Sequence, residues 1–247
     1  SRWEPAVETV GLKFATYNIH RAIGNDRKYQ PERIISICRS IDADVLALQE
    51  VDQGAPRSNR DDMARMIAAE LGMDYRLGLN VKLKEGMYGN ATFSRHPIVM
   101  DRNINITWGI KKKRGCLMTL LRLDSGQEVA VYNMHLGLAA FEQTFQVKRI
   151  LSSPSLTNMA HLPRLLLGDT NDRLNHIGPL FRAAGFHDSA ERRSRNSTFP
   201  SIAPVLRLDR VFYSNHWTGI EHQVVRDEQT RIASDHLPLS VKLELGD

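Results

Sequence analysis

Leu165-Leu166-Leu167-Gly168-Asp169-Thr170-Asn171-Asp172 starts as an apolar run and ends in a polar cluster. The leucines read as a short strand buried on both faces. The Gly-Asp-Thr-Asn-Asp after them has turn or helix-cap composition. A buried strand therefore stops where carboxylates and an amide are held on a rigid support. The same pattern recurs along the chain. Phe14-Ala15-Thr16-Tyr17 runs into Asn18-Ile19-His20, Val45-Leu46-Ala47-Leu48 into Gln49-Glu50-Val51-Asp52, and Val129-Ala130-Val131-Tyr132 into Asn133-Met134-His135-Leu136. Asp209 sits between Leu208 and Val211, and Ser234-Asp235-His236 precedes the last apolar stretch.

Between these points strand-like and helix-like segments alternate. A helix opens at Pro31, with Ile34, Ile35, Cys38 and Ile41 on one face. A second runs from about Asp61 to Leu71, with Met63, Met66, Ile67 and Leu71 inward and Gly72 as its cap. A third covers about Ala139 to Leu151, and a short one lies near Pro179 to Ala184, ending at Gly185. Strands are expected at Leu12–Tyr17, Tyr75–Leu79, Asn90–Ser94, from Ile98 onward, at Leu208–Tyr213 and at Leu237–Leu245. Asp124-Ser125-Gly126 joins Leu117–Leu123 to Glu128–Tyr132 as a hairpin. Strands outnumber helices and hairpins occur. The expected fold class is α/β, with packed sheets and helices outside them rather than a doubly wound parallel sheet.

The 247 residues are 42% hydrophobic and 25% charged, which excludes disordered and collagen-like classes. No repeat or Ser/Gly linker divides them, so residues 1–247 read as one domain, with 1–10 an extended leading segment. Lys and Arg number 33 against 28 Asp and Glu, a net charge of +5 that suits a polyanionic partner. The two cysteines, Cys38 and Cys116, lie far apart, which excludes a disulfide scaffold or zinc ribbon and points to a reduced, cytoplasmic setting. No stretch approaches the ~20 apolar residues of a transmembrane helix. Ser1-Arg2-Trp3-Glu4-Pro5 carries no apolar signal core, and no obligate protein partner is evident.

Gathering Glu50, Asp169, Asp209 and Asp235 at strand ends would concentrate negative charge, which a hard cation relieves. Oxygen donors of this kind, with Asn18 and Asn171 as neutral partners, suit Mg²⁺, Mn²⁺ or Ca²⁺ rather than zinc. His135 and His236 add groups that exchange protons near neutral pH. Together these point to hydrolysis at phosphorus. Each position alone has a plainer reading: Asn18 as a turn residue, Glu50 as the first exposed residue after a strand, Asp209 as a partner of Arg207 or Arg210. Those readings do not explain why all the positions fall at strand ends.

The ordered series Thr16–His20, Leu48–Asp52, Tyr88–Arg95, Asn133–Gly137, Gly168–Asn171, Leu208–Phe212 and Ser234–Leu239 resembles the endonuclease/exonuclease/phosphatase superfamily, the DNase I-like fold. The resemblance covers nearly the whole chain and is nearest to bacterial members of broadly assigned hydrolase function. It implies a four-layer α/β sandwich of two mixed sheets, packed face to face with helices outside. It implies metal binding by Glu50 with Asn18 and Asp235, Mg²⁺ being the expected ion. Asp169 and Asn171 would contact the attacking water and the scissile phosphate. His236, charged and oriented by Asp209, would serve the water, and His135 the phosphate or leaving oxygen. Arg57, Asn90 and Arg114 are candidate substrate contacts, although Arg57 and Arg60 equally suit surface salt bridges to Asp61 or Asp62. Thr170 stands where the family most often has Phe and is expected to face the core. His135 also separates the chain from abasic-site endonucleases, which usually lack that histidine.

The expected activity is a metal-dependent phosphodiesterase acting on a phosphate ester, with nucleic acid or a phospholipid headgroup as candidate partners. The alternatives are a specialised nuclease, a phosphomonoesterase, or a silent binding module on the same fold. Lys111-Lys112-Lys113 reads as a solvated loop, as does Arg192-Arg193-Ser194-Arg195.

Overall fold

Both expected sheets are present in the structure, a computed structural model that describes residues 9–190 and 195–245. Most of the leading segment 1–10 and of the Arg192–Arg195 loop lies outside the described residues. The first sheet contains β1 (Gly11–Asn18), β2 (Val45–Gln53), β3 (Asp74–Lys82), β4 (Met87–Ser94), β11 (Trp217–Val224) and β12 (Leu239–Leu245), in the order β11-β12-β1-β2-β4-β3. The second contains β5 (Ile98–Asn105), β6 (Gly115–Arg122), β7 (Glu128–His135), β8 (Arg164–Asp169), β9 (His187–Asp188) and β10 (Asp209–Tyr213), in the order β5-β6-β7-β8-β10-β9.

Each sheet has one parallel pair near its middle, β1 with β2 and β7 with β8; the other pairs are antiparallel. A parallel pair needs a crossover, supplied by α1 (Pro31–Ile41) in the first sheet and α3 (Ala140–Ser152) in the second. The remaining helices are α2 (Met63–Leu71), the short α4 (Pro154–Thr157) and α5 (Gly178–Ala183), and α6 (Glu228–Ala233). Asp62 caps the start of α2 by accepting from the Arg65 N–H, and Gly72 ends it at φ +64.

Three apolar clusters make the four layers. Phe14, Val45, Ala47, Val131, Leu165, Leu167 and Val241 meet between the sheets. Ile34, Ile37, Cys38, Met63 and Ile67 of α1 and α2 cover the outer face of the first sheet. Val147, Ile150 and Phe181 of α3 and α5 cover the second. Met66 and Leu71, expected inward, are only half-buried. Cys38 and Cys116 are buried free thiols. No helix among the described residues is long and apolar enough to cross a membrane.

Two strands escaped the periodicity reading: β11, an edge strand with half of its residues exposed, and the two-residue β9. The register decides what the fold offers chemically. Asn18 pairs with Gln49 across one parallel pair, and His135 pairs with Asp169 across the other. Asp209, on antiparallel β10, also pairs with Asp169. The carboxyl ends of both parallel pairs therefore open on one edge of the sandwich.

Candidate active site

Gly168 lets β8 reach that edge. Its φ is +153, and a Cβ there would lie 1.8 Å from the Met134 carbonyl oxygen. The buried Asp169 side chain follows. Its Oδ1 accepts from the Asn171 N–H at 3.0 Å. Its Oδ2 accepts from Asn18 Nδ2 across the sandwich at 2.9 Å. Two imidazoles flank the same oxygen, His135 Nε2 at 3.4 Å and His236 Nε2 at 3.6 Å. Burial acts to raise the Asp169 carboxyl, but His236, His135 and Asn18 outweigh it and hold the group far below the carboxylate range.

His236 Nδ1 donates to Asp209 Oδ2 at 2.8 Å, and Thr198 Oγ1 donates to the same oxygen at 2.5 Å. Burial alone would make His236 easier to deprotonate. The charges of Asp209, Asp169 and Asp235 reverse this and push its pKa up to about 10, so the ring is an imidazolium at neutral pH. Burial pushes the Asp209 carboxyl upward, with the charge on His236 opposing it. Asp209 thus pairs with His236 and not with either neighbouring arginine. Arg207 forks onto Asp188, and Arg210 reaches Asp172 at 3.3 Å.

His135 has different company. Arg114 NH1 lies 3.1 Å from its Nδ1 and 3.3 Å from its Nε2, and Nε2 also faces Asp169 Oδ2 at 3.4 Å, so a proton on Nε2 serves the carboxylate and leaves Nδ1 to accept from the arginine. Burial and the Arg114 charge both lower the His135 pKa, leaving a neutral ring.

Glu50 lies in the β2 bulge between Leu48 and Val51, at φ +56. A bulge breaks the alternation of the strand and re-aims one side chain. Burial acts to raise the Glu50 carboxyl, but His135, the Asn18 amide and His20 bring it below its ordinary range. Asn18 Oδ1 accepts from the His20 N–H at 3.1 Å. Asp235 is half-buried beside His236, with a long contact from Ser234 Oγ at 3.5 Å. Glu50, Asn18 and Asp235 would offer oxygen only, a donor set that fits a hard divalent ion. Asp169, Asp209 and His236 form a tighter group of ligand-type atoms, all within 4.8 Å of one another. Asp209 Oδ2 and Asp169 Oδ2 already accept hydrogen bonds within the site, so a cation there would have to break them.

Asn171, at φ +50, donates from Nδ2 to the Leu136 carbonyl at 2.8 Å. Asn90 is buried and donates to the Gly115 and Asn133 carbonyls; it shares a niche with Arg114 and His135. Arg57 is tied up in a salt bridge. It forks onto buried Asp52 at 2.8 Å through both Nε and NH2, while Arg60 pairs with Glu85, so neither arginine bonds Asp61 or Asp62. Thr170 is buried as expected, its hydroxyl donating to the Leu208 carbonyl at 2.7 Å.

Two supports were not among the expected site residues. Thr198 holds Asp209, and Gln49 with Asn133 ties the sheets together at 2.9 Å just behind the site. Thr198 sits in the Ser-Thr-Phe-Pro run, but nothing in that run names its partner. Gln49 and Asn133 each adjoin a strand-end motif.

The comparisons with known proteins bear on the fold and the family. Over 249 aligned positions the chain is 29% identical to the uncharacterized protein YbhP of Escherichia coli K12, covering 95% of this chain and 96% of that one. A Bacteroides thetaiotaomicron protein of the endonuclease/exonuclease/phosphatase family superimposes with a TM-score of 0.79 at 20% identity, covering 97% of this chain and 99% of that one. The mannosyl-6-phosphatase Bt3783 of Bacteroides thetaiotaomicron superimposes at 0.75 with 22% identity, covering 94% and 99%. The profile of the endonuclease/exonuclease/phosphatase family, whose members are generally metal-dependent hydrolases of phosphate esters, matches residues 15–236, and the chain belongs to that family.

Proposed function

We propose that the protein is a single-domain, divalent-metal-dependent phosphoesterase that hydrolyses phosphodiesters by in-line attack of water. The observation that supports this best is the convergence of Asn18, His135 and His236 on Asp169 Oδ2. Both imidazole contacts are longer than a hydrogen bond, and a water or phosphate oxygen inserted there would shorten the reach of each ring. Ionised Asp169 accepts a hydrogen bond from the water and aligns it, and takes up its proton only as the forming P–O bond makes that proton strongly acidic. The His236 imidazolium holds a phosphate oxygen, with Asp209 keeping it charged. This moves water activation from His236, where the motif alone placed it, to Asp169. Neutral His135 offers its Nε2–H to the phosphate or leaving oxygen, with Arg114 behind it. Mg²⁺ held by Glu50, Asn18 and Asp235 would neutralise phosphate charge and stabilise the leaving oxygen.

The test sets bis-p-nitrophenyl phosphate, plasmid DNA, single-stranded RNA and phospholipid against p-nitrophenyl phosphate, with Mg²⁺, Mn²⁺ or chelator. Diester turnover that chelator abolishes is expected. Turnover of the monoester alone would replace this reading with a phosphatase, and full activity in chelator would remove the metal from it.

A further inference from the structure

With the exceptions of Val10 and Val99, every exposed large apolar side chain among the described residues lies in a loop or helix at the site edge. The topology makes this one surface. The β5–β6 loop, the β7–α3 connection, the β8–α5 connection and the segments leading into β10 and β12 all open where Asn18, His135 and Asp169 end their strands.

The His135 flank is the most developed. The turn Trp108-Gly109-Ile110-Lys111 is closed by the Lys111 N–H on the Trp108 carbonyl at 3.1 Å, with Gly109 at φ +56. It holds Ile110 fully in solvent. Trp108 packs edge-on against Phe141 at 4.9 Å, and Lys111 lies over the Phe141 ring at 5.7 Å. Leu138, three residues after His135, is 74% exposed. On the opposite flank Leu174 and Val205 are each 73% exposed.

Three stretches of this edge carry no acidic residue, although Asp172 lies in the connection after β8 and Asp227, Glu228 and Asp235 lie in the segment before β12. No Asp or Glu occurs from Ile106 to Arg114, from Leu136 to Phe141, or from Arg195 to Leu208, whereas Lys111, Lys112 and Lys113 stand together. The opposite ends of the strands carry Asp42, Asp44, Asp74 and Asp124, the first three paired with Arg95 or Arg76. Exposed apolar side chains clustered around a cleft mark an interaction face. Aliphatic Ile110 and Leu138 offer no π-face to a nucleobase, but they bury well among acyl chains, with Trp at the headgroup level and lysines on anionic lipid.

We propose that the site edge docks on an anionic lipid bilayer, and that the phosphate ester it receives is a headgroup drawn from the membrane plane. The second half rests on the phosphoesterase reading; the docking itself does not. The test sediments the full chain with phosphatidylcholine vesicles, with or without phosphatidylserine, in chelator so that turnover plays no part. Binding to the phosphatidylserine vesicles is expected, weakening with salt. Ile110→Ser with Leu138→Ser should lower it at least tenfold while hydrolysis of bis-p-nitrophenyl phosphate stays at the wild-type rate. Lys111→Gln, Lys112→Gln and Lys113→Gln together should remove the preference for phosphatidylserine. No vesicle binding by the wild type, or equal binding by the Ile110/Leu138 variant, overturns the proposal, as does capture of single-stranded nucleic acid in place of vesicles. Docking without turnover of any ester would keep the membrane face and sink the phosphoesterase reading. Diester turnover without docking would do the reverse.

Discussion

His135 and His236 face the same carboxylate oxygen, at 3.4 and 3.6 Å, yet one ring is neutral and the other a cation. Both are buried, so burial opposes charging either ring. The difference lies behind each ring. Asp209 and Asp235 stand near His236, whereas Arg114 stands behind His135. Two like residues on one oxygen thus become a fixed cation and a neutral donor. Sequence spacing alone marks both as histidines able to exchange protons near neutral pH, and only the partners separate them.

The largest expected effect that could break this comparison comes from deleting each ring. His236→Ala should lower kcat by roughly 10²–10⁴, the scale of a positioned acid–base or charged group. His135→Ala should cost about ten times less, because Arg114 remains beside the phosphate. Steady-state kinetics on the preferred diester compares them, and equal losses would erase the distinction.

Magnesium sharpens it. Glu50 interacts with His135 more than with His236, so Mg²⁺ at Glu50 should shift the NMR titration of His135 and move His236 less. At a hundredfold excess over Kd the ion should also add ~2.7 kcal/mol of stability. Glu50→Gln should abolish both responses while leaving the metal-free fold intact, which thermal melts will show.

Arg114→Met should raise the His135 pKa, since it removes one of the two causes, burial and the Arg114 charge, that hold it down. Arg114→Lys should largely restore it. An unmoved value in the methionine variant would leave burial as the whole cause.

A further effect is on stability against pH. Folding raises the proton affinity of His236, so its contribution is complete below the ordinary imidazole pKa of ~6.5 and is lost as pH rises through about 10. Urea unfolding of wild type and His236→Gln should therefore differ most near pH ~6 and converge at alkaline pH.

The strand-end polar residues were legible because buried strands are apolar and short, so the residues that end them stand out. Asn18, His135, Asp169 and Asp209 meet as that pattern suggests. The bulge at Glu50 was not legible, because a positive φ at a glutamate leaves no mark in composition. Nor was the commitment of Arg57 to Asp52: a buried carboxylate five residues away looks like any other acid in the string. β11 hid for a different reason. Its interior carries Thr218, Gly219, Glu221 and Gln223, and a register shift between Thr218 and Glu221 interrupts the alternation. α6 is held by an Asp227–Thr230 capping box and is too short to show a helical stripe.

The pairing of β1 with β12 has a consequence for biosynthesis. Ser234 Oγ donates to the Asn18 carbonyl across 216 residues of chain, and His236 follows two residues later. At roughly 5–20 residues per second, a ribosome that has released Asn18 needs about ten to forty seconds more to deliver that partner. Through this interval the nascent chain holds Asn18, and progressively Glu50, His135 and Asp169, without the imidazolium that completes them. β1 meanwhile lacks its antiparallel neighbour and exposes an open edge to other strands. The docking of one late strand therefore covers that edge and completes the strand-end cluster together.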